Sequence, residues 1–355
     1  MIFYFLIALL FLVSAFIEVF SVKPEQKFDI KALFFFLVAI LMILAATRQC
    51  GYDYNNYKMY FDVLHSPSWR SQSAGLSVES SFGYLCYLMP SYEILIFIYA
   101  LMSIGLLFFF IYRTSPYPIF SVLLLLGLCF YSTYMGQIRQ GLAMSIVMFS
   151  FISKNKWIKL ALNIFACFFH ITAILAFLQF FIGKNIQKTR FYLSLLFTAL
   201  IINLTCYGIL LKVIPMLPTF LAAKLSFYVA TEDGMTLGLN MAMLLRLMIF
   251  SIFFYFKPSD ELSNNYGRIL NLYFISLLIY LGFGFLPQLS GRGALYFNIL
   301  EILLAAKVLN EMPKTNYRYY IFFFFAAVSL YRQFSLFNDG VGYELFIPYK
   351  TWLFK

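Results

Sequence analysis

The chain has 355 residues, 63% of them hydrophobic, 21% aromatic and only 12% charged. Soluble domains are about a quarter charged, and a mean hydropathy of +0.83 reflects more apolar surface than a water-soluble globule can bury. A soluble enzyme, a disordered chain and a free nucleic-acid binder are therefore excluded, leaving an all-α, polytopic integral membrane protein. The net charge of +11 would suggest nucleic acid in a soluble protein. Here the basic residues cluster between apolar runs, the pattern that marks cytoplasmic loops.

A spanning helix needs about 20 apolar residues. In chain order, spans are expected at 2–22, 32–48, 92–112, 117–135, 139–153, 191–211, 236–256, 269–289, 292–309 and 319–337. The first run, from Ile2 to Val22, lacks a basic flank and a small-residue cleavage site, so it reads as a retained span rather than a signal peptide. Between the second and third spans, residues 48–91 are read as extracytoplasmic, with a short interfacial helix at 76–90 ending at Pro90. Segment 157–183 is apolar but carries His170 at its middle. It can be two half-helices meeting at His170, or one straight helix with 215–230 making a compensating crossing. Lys23, Lys27 and Lys31, then Lys154, Lys156 and Lys159, then Lys184, Lys188 and Arg190, and finally Lys307, Lys314 and Arg318 are assigned to the cytoplasmic side. Both ends then lie outside. The expected architecture is a single integral domain over 1–355 with about ten to twelve helices. It has a second extracytoplasmic segment near 212–235 and an outer tail at 338–355.

The five cysteines show no CxxC spacing, and the chain has only two histidines, His65 and His170. Neither a metal site nor a cofactor is expected. The arginines are more informative. At ~1.5 Å rise per residue, Arg48 stands roughly 25 Å above Lys31, Arg139 and Arg292 roughly 22 Å above their basic clusters, and Arg246 near mid-membrane. Lone arginines near helix ends snorkel to the headgroups. That explains Arg246 poorly, because a charge at mid-helix costs about 2.5–3.5 kcal/mol on insertion. Several cations at one level predict an outward-opening cavity for an anion. The bidentate, permanently charged guanidinium favours phosphate, so a phosphate-bearing lipid is the expected ligand. Charge geometry alone leaves an anion channel open. Asp53 and His170 are the candidate bases. Tyr52 and Tyr57 are candidates for stacking on sugars or for an interfacial aromatic belt.

Five motifs resemble a known family. Arg48-x-x-Gly51-x-Asp53-x-x-x-Tyr57, Ile138-Arg139-Gln140-Gly141-Leu142-Ala143, Ala166-x-x-Phe169-His170-x-x-Ala173, and Arg292 with Tyr296-Phe297 resemble elements of the EpsG family of polysaccharide polymerases. The terminal Ile347-Pro348-Tyr349 is similar to a tail common among Wzy-type polymerases. The resemblance implies a GT-C-like enzyme of the bacterial inner membrane. It would polymerise lipid-linked repeat units on the outer face, moving a growing glycan from undecaprenyl diphosphate onto a single lipid-linked repeat without metal or cofactor. On this reading Arg48, Arg139, Arg246 and Arg292 bind diphosphate, and His170, Asp53 and Arg139 carry the chemistry. Tyr52, Tyr57 and Tyr296 meet the sugars. The implied partners are undecaprenyl-diphosphate-linked glycans and membrane lipid, with a chain-length regulator and a flippase beside them, and no nucleic acid. A lipid-linked oligosaccharide flippase and a glycan ligase are the competing readings.

Overall fold

A computed structural model describes residues 1–21, 27–76, 78–217, 222, 226, 229, 239–257, 265–312 and 316–354. Among these residues the protein is all-helical, and its one β-type contact is an isolated bridge between Arg48 and Thr351. Six helices are long and apolar enough to cross a membrane, at Ile2–Ser21, Asp29–Thr47, Tyr92–Thr114, Thr189–Met216, Ser290–Glu311 and Asn316–Asn338. Five shorter apolar helices accompany them. The protein is a polytopic membrane protein. The greater part of the expected outer segment near 212–235 and of the crossing at 215–230 lies outside the described residues.

The chain forms two compact units, Met1–Phe177 with Ala305–Lys355, and Leu178–Leu304. In the first unit, α1 (Ile2–Phe16) runs into a wider π-type turn at Ile17–Ser21, and α2 covers Lys27–Thr47. Three short helices then form the segment expected outside the membrane: α3 (Tyr54–Leu64), α4 (Trp69–Gly75) and α5 (Ser80–Leu88). Helix α6 (Tyr92–Thr114) is capped by Ser91, whose side chain accepts from the Ile94 amide at 3.3 Å. Glu93 in its first turn and Arg113 in its last both complement the helix dipole. It ends before Pro116, as a residue preceding proline disfavours helix.

Helix α7 (Pro118–Leu125) starts with proline, whose missing amide costs nothing in a first turn. Its next amides are capped from a distant helix: Glu18 accepts from Ile119 at 3.1 Å and from Phe120 at 2.9 Å. Buried away from water, these donors would otherwise be orphaned. The coil continues as a π-type turn at Leu126–Tyr134, the irregular geometry often found beside functional positions. Gly127 lets it approach the long helix at Asn316–Asn338; a Cβ there would lie 2.3 Å from the Ser329 carbonyl oxygen.

Helices α8 (Ile138–Ile152) and α9 (Lys156–Phe169) follow as neighbours, joined by a tight turn in which the Asn155 side chain caps Trp157 at 2.8 Å. The α-helix stops at Phe169. His170 is extended, with φ −157° and ψ 121°, and a 3-10 helix runs over Ile171–Phe181. The straight-helix alternative for 157–183 is therefore excluded. The two pieces, 14 and 11 residues long, reach about 21–22 Å each, short of the ~30 Å hydrocarbon core.

The second unit holds α10 (Thr189–Val213), α11 (Met241–Tyr255), α12 (Tyr266–Gly282) and α13 (Pro287–Asn298). The span expected at 292–309 lies within the membrane-length helical run Ser290–Glu311, in which turn residues 299–300 separate α13 from α14 (Glu301–Glu311). The first unit closes with α15 (Asn316–Asn338), α16 (Gly340–Phe346) and the tail.

Candidate active site

The loop after α2 fixes one side of the site. Gly51 has φ +127°, and a Cβ on it would sit 2.5 Å from the Met135 carbonyl oxygen. Only glycine tolerates that backbone and that approach. Arg48 is 1% exposed. Its Nε donates to that same Met135 carbonyl at 2.7 Å, and Nη1 donates to Ala45 O at 2.5 Å. The tail lies alongside: Gln49 N donates to Lys350 O at 2.7 Å, Gly51 N to Leu345 O at 3.0 Å, and the Tyr349 hydroxyl to Leu44 O at 2.8 Å. The Arg48–Gly51 turn and the Pro348–Tyr349 tail, far apart in sequence, therefore build one clasp over the loop that starts α8. Gly51→Ala should cost at least ~1–3 kcal/mol in backbone strain, read as a lower melting temperature in detergent. An unchanged melting temperature would contradict the clasp.

Helix α8 presents Arg139 in its first turn. A cation there opposes the helix dipole, so it needs a compensating anion. Glu79, immediately before α5, supplies it through an ion pair with Arg139 Nη1. The same carboxylate reaches the break after α9. Glu79 Oε1 lies 3.1 Å from His170 Nδ1 and accepts from the Ile171 amide at 3.2 Å. It thereby caps a backbone donor that the helix break would leave unsatisfied. The Ser81 hydroxyl donates to the Phe168 carbonyl across the same junction. Burial pushes the Glu79 carboxyl up, but the His170 hydrogen bond and the adjacent Arg139 and His170 outweigh this and hold it at about 2. A carboxylate so held can only accept hydrogen bonds.

The Arg139 guanidinium lies 5.5 Å from the centre of the Tyr57 ring and 5.3 Å from that of Phe82. Arg139 and Glu79 side chains are each 15% exposed, as is His170. The cluster is thus mostly desolvated yet open at one side. Arg139 Nε is buried with no hydrogen-bond partner among the described residues. An oxyanion would satisfy such a donor.

The structure brings together Arg139, His170 and Tyr57 of the expected residues. Glu79, which joins them, is a residue that the sequence reading did not single out. Asp53 precedes α3, half-buried; its side chain makes no capping bond, and its carbonyl accepts from Tyr57 N at 2.9 Å. Tyr52 packs edge-on to Phe346 at 5.5 Å. Tyr57 and Tyr296 are 4% and 0% exposed, so burial removes the open ring face that stacking on a sugar needs. In the second unit, Arg246 lies 4.1 Å from the Tyr280 ring centre and donates to Ala242 O at 3.2 Å. Arg292 is half-buried on α13. No group of three or more His, Cys, Asp or Glu side chains suited to a metal occurs among the described residues.

In this polytopic membrane protein an arginine, a carboxylate and an imidazole thus meet at a broken helix. The chain belongs to the EpsG family, whose family model matches residues 31–351. This makes it a membrane protein of polysaccharide biosynthesis. No curated protein and no solved structure matches it.

Proposed function

We propose that the protein is a polysaccharide polymerase of the bacterial inner membrane. It transfers a growing glycan from undecaprenyl diphosphate to a lipid-linked repeat unit on the outer face. The observation that carries this reading is the junction of Arg139 with His170 through Glu79, in a chain of a polysaccharide-biosynthesis family. Glycosyl transfer from a lipid diphosphate needs two things. The leaving diphosphate gains charge as the glycosidic bond breaks, and a fixed cation in a desolvated site stabilises that charge more in the transition state than before it. The attacking sugar hydroxyl must lose its proton to a base.

Arg139, with a buried donor still unpaired, suits the first role. His170 suits the second better than Asp53, because its ring is held by a carboxylate while no ion pair holds Asp53 among the described residues. Arg48 is read as part of the clasp that sets the start of α8, since its Nε and Nη1 are spent on carbonyls; its buried Nη2, like Arg139 Nε, has no hydrogen-bond partner among the described residues, which keeps Arg48 a candidate diphosphate ligand. Arg246 and Arg292 are further candidate anion ligands in the second unit. Tyr52 is the half-buried tyrosine left for contact with sugar.

The test is a gel of surface glycan from a deletion strain carrying the gene or an empty vector. The polymerase reading expects single repeats on the surface without the protein and a ladder with it. Loss of single repeats from the surface would indicate a flippase instead. A ladder that persists without the protein, but stays on its lipid carrier, would indicate a ligase.

A further inference from the structure

Glu79 touches three groups at once, and its contact with His170 has a chemical consequence. A neutral imidazole carries one N–H and one lone pair, and which nitrogen holds which is set by the hydrogen bond at the other. We propose that Glu79 is the positioning residue of this site. By accepting from Nδ1 it fixes His170 in the tautomer whose lone pair is on Nε2, and it balances the imidazolium that forms when Nε2 takes a proton. This rests on the polymerase reading above.

In the step itself the acceptor O–H bond breaks and its proton goes to Nε2. The oxygen forms a bond to the anomeric carbon, and the anomeric C–O bond breaks. The diphosphate leaves with that electron pair. Glu79 stays a carboxylate throughout.

Geometry supports this role. Oε1 is shared between His170 Nδ1 at 3.1 Å and the Ile171 amide at 3.2 Å, so the backbone of the break fixes the carboxylate's position, while Oε2 is held by Arg139. The ring therefore cannot turn without losing a charge-assisted bond. The titratable and charged groups around the junction are Arg139 on α8, Tyr57 on α3 with Asp53 just before that helix, Cys86 on α5 and Tyr99 on α6. Arg139 is the fixed cation among them, and it is already paired to Glu79. Converting Glu79 to an amide leaves that cation facing His170 uncompensated, which disfavours the imidazolium.

The chain has two histidines, which makes the tautomer directly readable. Full-length protein with ¹⁵N-histidine, prepared as His65→Gln, contains His170 alone; His65 Nδ1 lies 2.9 Å from the Cys86 carbonyl oxygen, so its ring bonds the backbone of α5 rather than Glu79. The neutral ring is expected to carry its proton on Nδ1. A proton on Nε2 would overturn the proposal, and this measurement needs no change at Glu79.

The second arm is the pH profile of turnover on a lipid-diphosphate-linked repeat. For Glu79→Gln, kcat is expected to fall about 10²-fold with KM within about threefold. The acidic limb should move to lower pH by about one unit, since the opposite charge that favours the protonated ring is gone. Glu79→Asp should keep the limb in place and recover at least about tenfold of the loss. If Glu79→Gln shows the parent's limb, Glu79 is a structural group only. If instead the Nδ1 proton is found but His170→Gln polymerises at the parent rate, the positioning geometry stands and the assignment of His170 as base fails.

Discussion

A His170→Gln variant should lose about 10²–10⁴ of the polymer-forming rate, the range that a positioned general base supplies, while accumulating in the membrane like the parent. The backbone at 170 is extended, a conformation that glutamine adopts freely, and the amide can still donate to Glu79. The packing at the break therefore survives the exchange, and what is removed is a group that can take a proton near neutral pH. The measurement is the rate of lipid-linked repeat consumption per mole of purified protein. A variant that keeps the parent's rate would take the base assignment away from His170.

Replacing Arg139 should have an effect at least as large. The guanidinium joins Glu79 in a cluster only 15% exposed, and removing one preorganised donor to a developing charge costs about 10²–10³ in rate. Arg139→Ala removes several donors together, so a loss of about 10³ or more is expected. It also leaves Glu79 with an unpartnered charge, and breaking a buried pair can cost up to ~3–5 kcal/mol. Abundance of the alanine variant must therefore be read beside its rate. Arg139→Lys separates the two effects: the charge stays and the forked geometry goes. We expect the lysine variant to accumulate normally and to lose about 10–100-fold in rate. A lysine variant with full rate would mean that Arg139 only neutralises Glu79.

Much of the helical layout was legible because lipid leaves the chain little choice. With no water to satisfy backbone groups, long apolar runs must become helices, and the runs at 2–22, 92–112 and 319–337 do so within a few residues. The sequence left 157–183 as either two half-helices meeting at His170 or one straight helix, and the structure breaks the α-helix at Phe169, as a polar ring at the centre of an apolar run favours. Depth singled out Arg139 and His170, and the structure joins both to Glu79.

Depth gave height along the membrane but not direction around the helix. Arg48, expected from its depth as an anion ligand, gives Nε and Nη1 to Met135 and Ala45 and keeps a buried Nη2 with no hydrogen-bond partner among the described residues. The same limit applies to Tyr57 and Tyr296, whose rings are buried. Glu79 was the least legible. It lies 60 residues from Arg139 and 91 from His170, and no periodicity in a single chain encodes a pairing across such distances. One physical signal did point toward it: a first-turn arginine on α8 needs an anion, and the acids outside the spans were few.

The most direct measurement of the central claim uses the purified full-length protein in nanodiscs with one substrate, an undecaprenyl-diphosphate-linked repeat unit, and follows both products. The account predicts glycans two or more repeats long, with one undecaprenyl diphosphate released per bond formed. Repeats that remain single, with no diphosphate lipid released by protein shown to be folded, would contradict it.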